Sequence, residues 1–174
     1  MHGLRFPGLS LALLCLSGLA FAQGGDHRSR EATARAYLRA LETMDFTAQR
    51  GFYTPESVFE DPTSDIFGEP WHFVGPEAIV AFWRTSGQNV IEMEWEIRQL
   101  YVTGARVMVS FASHMRLKSE QLGIPGKTFS GTIHVMTVLR IEDGKVLRHT
   151  DHADYSDALR QMELVRRKLT GENQ

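Results

Sequence analysis

The segment from Gly131 to Asp157, GTIHVMTVLRIEDGKVLRHTDHADYSD, constrains the fold more than any other stretch. Two β-rich runs flank Asp143-Gly144, a dipeptide favoured in the type I′ turn of a two-residue hairpin. Counting outward from Glu142 opposite Lys145 sets Met136 opposite Asp151 and His134 opposite Ala153. Side chains alternate along a strand, so His134, Met136 and Val138 are expected to share a face with His149 and Asp151. Two imidazoles and a carboxylate on one sheet face suit a cavity. The same residues would also suit a hairpin that presents its polar groups to water.

The chain around this hairpin has 174 residues, and its single cysteine is Cys15. Met1–Ala22 carries Arg5, an apolar run from Leu9 to Leu19, and Ala20-Phe21-Ala22. That pattern reads as a secretory signal peptide cleaved after Ala22, and the apolar run is too short to span a bilayer. The expected mature chain, residues 23–174, is one domain without cysteine, exported to the periplasm or the medium. A formal net charge of −2 with no basic block argues against nucleic acid and anionic membrane surfaces as partners.

Ala34, Tyr37, Leu38, Leu41 and Met44 follow helical spacing and predict an amphipathic helix over about 28–44. Asp45 can cap a second short helix. Residues 57–61 read as a strand ended by Pro62, with Phe59 and Asp61 on one face. Residues 63–75 read as a loop whose Phe67, Trp71 and Phe73 either roof a pocket or form a satellite cluster. Pro76 opens a helix striped by Ile79, Val80, Phe82 and Trp83 and stopped at Gly87. Over 90–102, Met93, Trp95 and Ile97 alternate with Glu92, Glu94, Glu96 and Arg98, the pattern of a half-buried strand. Residues 105–117 are apolar on both faces, so both are expected to be covered. Residues 156–169 read as a closing helix.

Helices first and hairpins later make this an α+β chain. The expected architecture is a cone-shaped, curved antiparallel sheet wrapped around N-terminal helices, a cystatin-like α+β roll with a pocket at its mouth. On the counted register, Val109, Phe111, Val135 and Leu139 lie opposite the pocket face. Such an apolar patch is expected to pair two copies of the chain through the sheet.

Three stretches carry a family resemblance. They are Tyr37-Leu38-Arg39-Ala40-Leu41 with Met44-Asp45, Ser57-Val58-Phe59-Glu60-Asp61-Pro62, and His149-Thr150-Asp151-His152-Ala153-Asp154. Across roughly residues 31–161 the chain resembles the nuclear transport factor 2-like superfamily, in particular SnoaL-like polyketide cyclases and ketosteroid isomerases. The resemblance implies an oxyanion-hole tyrosine at Tyr37 and a general base at Asp61. It also implies a catalytic aspartate at Asp151 and a pocket histidine at His134. Two positions depart from it: Val135-Met136-Thr137 carries no carboxyl where isomerases have one, and Thr150 stands where the cyclases have tryptophan.

The candidate catalytic residues are therefore Asp61, Tyr37, Asp151 and His134. Asp61 is expected to be the base, with Asp151 and His134 orienting substrate or relaying the proton. A carboxylate at an apolar strand end is partly desolvated and so a more effective base; it could equally cap the turn before Pro62. Tyr37 could bond a structural partner, and Asp151 with His134 could satisfy only each other. Phe59, Trp71, Trp83 and Trp95 are expected to line the pocket as its aromatic wall. His114, Met136 and His149 join them from the sheet. His114, His134, His149 and Asp151 lack a compact ligand motif, so neither a metal nor a cofactor is expected. The functional expectation is a small-molecule pocket for an apolar partner. Its role is acid–base isomerisation or cyclisation next to a carbonyl, or else non-catalytic binding or an accessory role as a dimer.

Overall fold

The computed structural model describes residues 12–171. Half of the expected leader, residues 1–11, lies outside the described residues. Helix α1 (Ala12–Glu42) turns Ala34, Tyr37, Leu38 and Leu41 into the core. The chain reverses at Met44, whose φ is +53°. Asp45 then caps α2 (Phe46–Gly51) by accepting the Ala48 N–H at 2.9 Å. Strand β1 (Val58–Asp61) runs into a 3₁₀ turn over Pro62–Phe67. Next come β2 (Trp71–Val74) and α3 (Pro76–Ser86), followed by the long strands β3 (Val90–Thr103), β4 (Arg106–Lys118) and β5 (Thr128–Glu142). Strand β6 (Lys145–Ala153) and helix α4 (Tyr155–Thr170) complete the chain.

The six strands form one curved, unclosed sheet in the order β2-β1-β6-β5-β4-β3. It is mixed: β1 runs parallel to β6, and all other neighbours are antiparallel. Strand β2 lies within the stretch read as loop. Trp71-His72-Phe73-Val74 does alternate, but Pro70 and the flanking glycines mask it, and the strand forms because β1 offers it a free edge, pairing Phe59 with Phe73. The sheet's concave face packs Val107, Val109, Leu139, Ile141 and Val146 against the inner stripe of α1. Each such fully buried aliphatic side chain contributes about 1.5–3 kcal/mol.

The hairpin turn forms as its dipeptide requires, with φ of +47° at Asp143 and +72° at Gly144. The register beyond it departs from the simple count. Glu142 faces Lys145 and Ile141 faces Val146, but Arg140 faces Arg148. Leu147 is the extra residue of a β-bulge, and from there on every partner is shifted by one. Thr137, not Met136, lies across from Asp151, and Leu139 lies across from His149. A one-residue slip moves a whole set of side chains to the other face. The inner face of β5 is therefore Ile133, Val135, Thr137, Leu139 and Ile141. Both His134 and Met136 are exposed on the outer face.

The same shift corrects the expected dimer patch. Val109, Phe111 and Leu139 are core residues, and Val135 packs against them. The cover expected on both faces of β4 is also missing on one side. Met108 is 38% exposed on the convex face, across from Tyr101 on β3 and Val138 on β5.

Candidate active site

Strand β6 places His149 and Asp151 two residues apart on the concave face, beneath α1. His149 is fully buried and bonds in two directions: Nε2 meets Asp151 Oδ1 at 2.7 Å, and Nδ1 meets the Tyr37 hydroxyl at 2.7 Å. The Tyr37 hydroxyl lies 2.8 Å from that of Tyr53, which accepts from Gln49 Nε2 at 3.0 Å. Thr137 Oγ1 donates to the same Asp151 oxygen. One assignment of protons satisfies every link. An ionised Asp151 accepts from His149 Nε2–H, so the neutral ring accepts at Nδ1 from Tyr37. Tyr37 in turn accepts from Tyr53, and Tyr53 from Gln49. Every donor in the chain points toward one carboxylate.

Burial pushes the Tyr37 phenol well above its ordinary value, reinforced by Tyr53 and by the Asp151 charge. Burial likewise raises the Tyr53 phenol. Both stay protonated and act as fixed donors. Asp151 Oδ2 has no hydrogen-bond partner among the described residues, and Asp151 lines a cavity of about 150 Å³. The cavity wall is mostly apolar. Phe59 and Phe82 are stacked 4.9 Å apart, and Trp83 lies parallel to the His149 ring at 5.9 Å. Trp71 and Trp95 complete the aromatic side. Under α4 a second chamber of about 270 Å³ shares Ser86, Met115, Ile133 and Tyr155 with the first.

Asp61 is buried and is not among the residues that line this cavity. Its Oδ1 accepts from the Thr63 N–H at 2.9 Å and the Thr63 hydroxyl at 2.6 Å, and its Oδ2 accepts from the Tyr155 hydroxyl at 2.6 Å. It caps the 3₁₀ turn that Pro62 begins, the arrangement Asp-Pro-Thr favours. Of the residues nominated from sequence, the structure brings together Tyr37, His149 and Asp151, with Phe59, Trp71, Trp83 and Trp95 around them. His134, Met136 and His114 stand outside. His114 faces Thr132 at 3.0 Å and Glu96 at 3.5 Å on the convex side. Among the described residues no group of three or more His, Cys, Asp or Glu is placed to hold a metal.

Sequence reasoning missed Thr137, Tyr53 and Gln49. A signal for Thr137 was present: Ile133, Val135, Leu139 and Ile141 alternate with Arg140 and Glu142, which marks the odd positions as the inner face. No local pattern marks Tyr53 or Gln49, which sit on α2 and its exit and meet Tyr37 only through the packing of α1 against α2.

Helices held inside an unclosed curved sheet, with a carboxylate–imidazole pair in an apolar cavity, define an α+β roll of the nuclear transport factor 2 type. The SnoaL-like domain model matches residues 34–149, more than half of the chain, and the protein belongs to that family. A provisionally assigned SnoaL-like polyketide cyclase from Shewanella denitrificans is similar to it at 29% identity and a TM-score of 0.67, covering 76% of this chain and 97% of that one. Its counterpart from Shewanella putrefaciens is similar at 28% identity and the same TM-score, covering 76% and 96%. A Catenulispora acidiphila protein with a ketosteroid isomerase-like fold shares the fold at 16% identity and a TM-score of 0.62, covering 75% and 92%. Comparison with curated proteins finds no match.

Proposed function

We propose that the protein is an acid–base enzyme acting next to a carbonyl of an apolar small molecule, with Asp151 as the base. One observation carries this: Asp151 has one oxygen held by His149 and Thr137, the other has no partner among the described residues, and the residue lines an apolar cavity. Oδ2 takes a proton from the carbon beside the carbonyl. The C–H electron pair becomes the new C=C bond, and the carbonyl π pair moves onto oxygen as an enolate. Asp151 returns the proton in one of two ways. In an isomerisation the ketone carries a β,γ-alkene, and the proton goes to the γ-carbon as the dienolate collapses. In a ring closure the enolate carbon adds to a second carbonyl of the same molecule, that carbonyl's π pair moves onto its oxygen, and the proton goes to the resulting alkoxide. His149 and the tyrosine chain hold the carboxylate in position. The apolar wall keeps water away, which strengthens electrostatics at the reacting atoms. The provisional cyclase assignment of the Shewanella relatives supports the same class of chemistry.

Deuterium exchange tests the proposal. Apolar cyclic ketones are incubated with the protein in heavy water, and loss of the α-proton signal is followed by NMR. Asp151→Asn is expected to slow exchange by about a hundredfold to ten-thousandfold. Equal rates in the two proteins would remove Asp151 as the base. Ligand binding without any exchange would make the cavity a carrier site. The leader-like Met1–Ala22 supports a further proposal, that the chain is exported and begins at Gln23 when mature; the intact mass of exported protein checks this.

A further inference from the structure

An enolate needs donors at its oxygen as well as a base at its carbon. Neither the oxyanion-hole tyrosine nor the pocket histidine expected from sequence is available. The Tyr37 hydroxyl is committed to His149, and His134 lies on the convex face. Tyr53, Thr137 and Tyr155 are also committed, to Tyr37, Asp151 and Asp61.

Two buried nitrogen donors in the cavity wall stand without a partner. The indole nitrogens of Trp83 and Trp95 are buried and have no acceptor among the described residues, and both rings line the cavity that contains Asp151. Buried tryptophan N–H groups normally have a partner. The third buried atom without one, Gln49 Oε1, is an acceptor at the far end of the tyrosine chain and outside this wall. Both indoles are held by stacking: Trp83 on His149 at 5.9 Å, and Trp95 on Phe111 at 4.4 Å. Ser113 lies directly across from Trp95 on β4 and also lines the cavity, with no hydrogen bond from its hydroxyl to a described residue.

We propose that Trp83 and Trp95 donate their indole N–H groups to the carbonyl oxygen of an apolar, carbonyl-bearing ligand, beside the hydroxyl of Ser113. This rests on the functional reading above and adds the oxygen-binding half of the site. A hydrocarbon of the same shape fills the cavity but leaves both donors unpaired; a ketone satisfies them.

The experiment compares 2-acetylnaphthalene with 2-ethylnaphthalene on the full chain. The protein has three tryptophans, so ¹⁵N-labelled material gives three indole N–H signals, assigned with Trp71→Phe, Trp83→Phe and Trp95→Phe. The Trp83 and Trp95 signals are expected to move downfield with the ketone and not with the hydrocarbon. Fluorescence titration of Trp83→Phe and of Trp95→Phe is expected to show ketone affinity about tenfold weaker, the loss of one hydrogen bond, with hydrocarbon affinity unchanged or stronger. The shifts in wild-type protein serve if one variant fails to fold. Matching shifts for the two probes, unchanged ketone affinity in both variants, or no binding of either probe would overturn the proposal. Asp151→Asn separates the two halves: it should slow α-exchange by the factor given above and keep the indole shifts. Indole shifts in a wild-type protein that never exchanges would sink the base assignment and leave the donor pair standing.

Discussion

Asp61 and Asp151 are both buried carboxylates at strand positions, and their neighbours give them different work. Asp61 has both oxygens engaged, by Thr63 and by the Tyr155 hydroxyl. Asn at this position still caps the turn but forfeits the charge-assisted bond from Tyr155. Asp61→Asn should therefore lower unfolding stability by about 1–2 kcal/mol in urea titration and leave α-exchange and ligand affinity intact. Tyr155→Phe should cost a similar amount. The double variant should cost less than the sum of the two, because each removes the same bond. Additive losses would contradict the bond between Tyr155 and Asp61, and an exchange defect in Asp61→Asn as deep as that of Asp151→Asn would return the base role to Asp61. The Glu-Asp-Pro stretch was legible as a landmark of the fold, and the cap before Pro62 was legible as an alternative. The choice between them depended on Tyr155, 94 residues away in sequence.

At the scale of elements, the bulge at Leu147 arranges the site. Val146 and His149 are three residues apart and both buried, which a regular strand cannot achieve. The extra residue lets β6 give Val146 to the core near the turn, then His149 and Asp151 to the cavity. Without it, His149 and Asp151 would share a face with His134, as a straight count from the turn suggests. Helix α4 matters in another way. Its first residue bonds Asp61, and its inner side covers the second chamber, so the Tyr155 hydroxyl ties the helix to the sheet. Burial raises the Tyr155 phenol above its ordinary value, and the hydrogen bond to Asp61 and its charge add to this.

Across the whole molecule, three of the four tyrosines hold their protons more tightly than usual: Tyr37, Tyr53 and Tyr155. A tyrosine whose folded pKa exceeds its unfolded value gives its full stabilisation below pH 10. That contribution is lost as the pH rises above it. Alkaline titration followed by phenolate absorbance and circular dichroism should therefore show these tyrosines ionising together with the loss of structure above pH 10. Phenolate absorbance from all four tyrosines in a still-folded protein would contradict the buried network. The convex face supports a proposal of its own, that two copies pair through it. Tyr101 and Met136 are 59% and 42% exposed there, with Met108 and Val138 between them in cross-strand positions. Light scattering at micromolar concentration should give a dimer mass that Met108→Lys reduces to monomer; a monomeric wild type would end the idea.

The sequence by itself determined the elements, because their signals are local. Helical spacing in α1, the Asp143-Gly144 turn, the Pro76 helix start and the alternation of β3 each depend on residues within a few positions of one another. It also carried the family resemblance, the aromatic side of the cavity and the presence of His149 and Asp151 on one face, since residues two apart on an unbulged stretch of strand share a side. Only the tertiary structure decided which other residues share that side. Facing is relative to a partner strand, and a single bulged residue reverses it without changing composition or periodicity enough to announce itself. Tertiary packing likewise decided that Tyr37 serves His149, that Asp61 serves Tyr155, and that two indole N–H groups are left without partners, because each depends on what a distant segment brings within 3 Å.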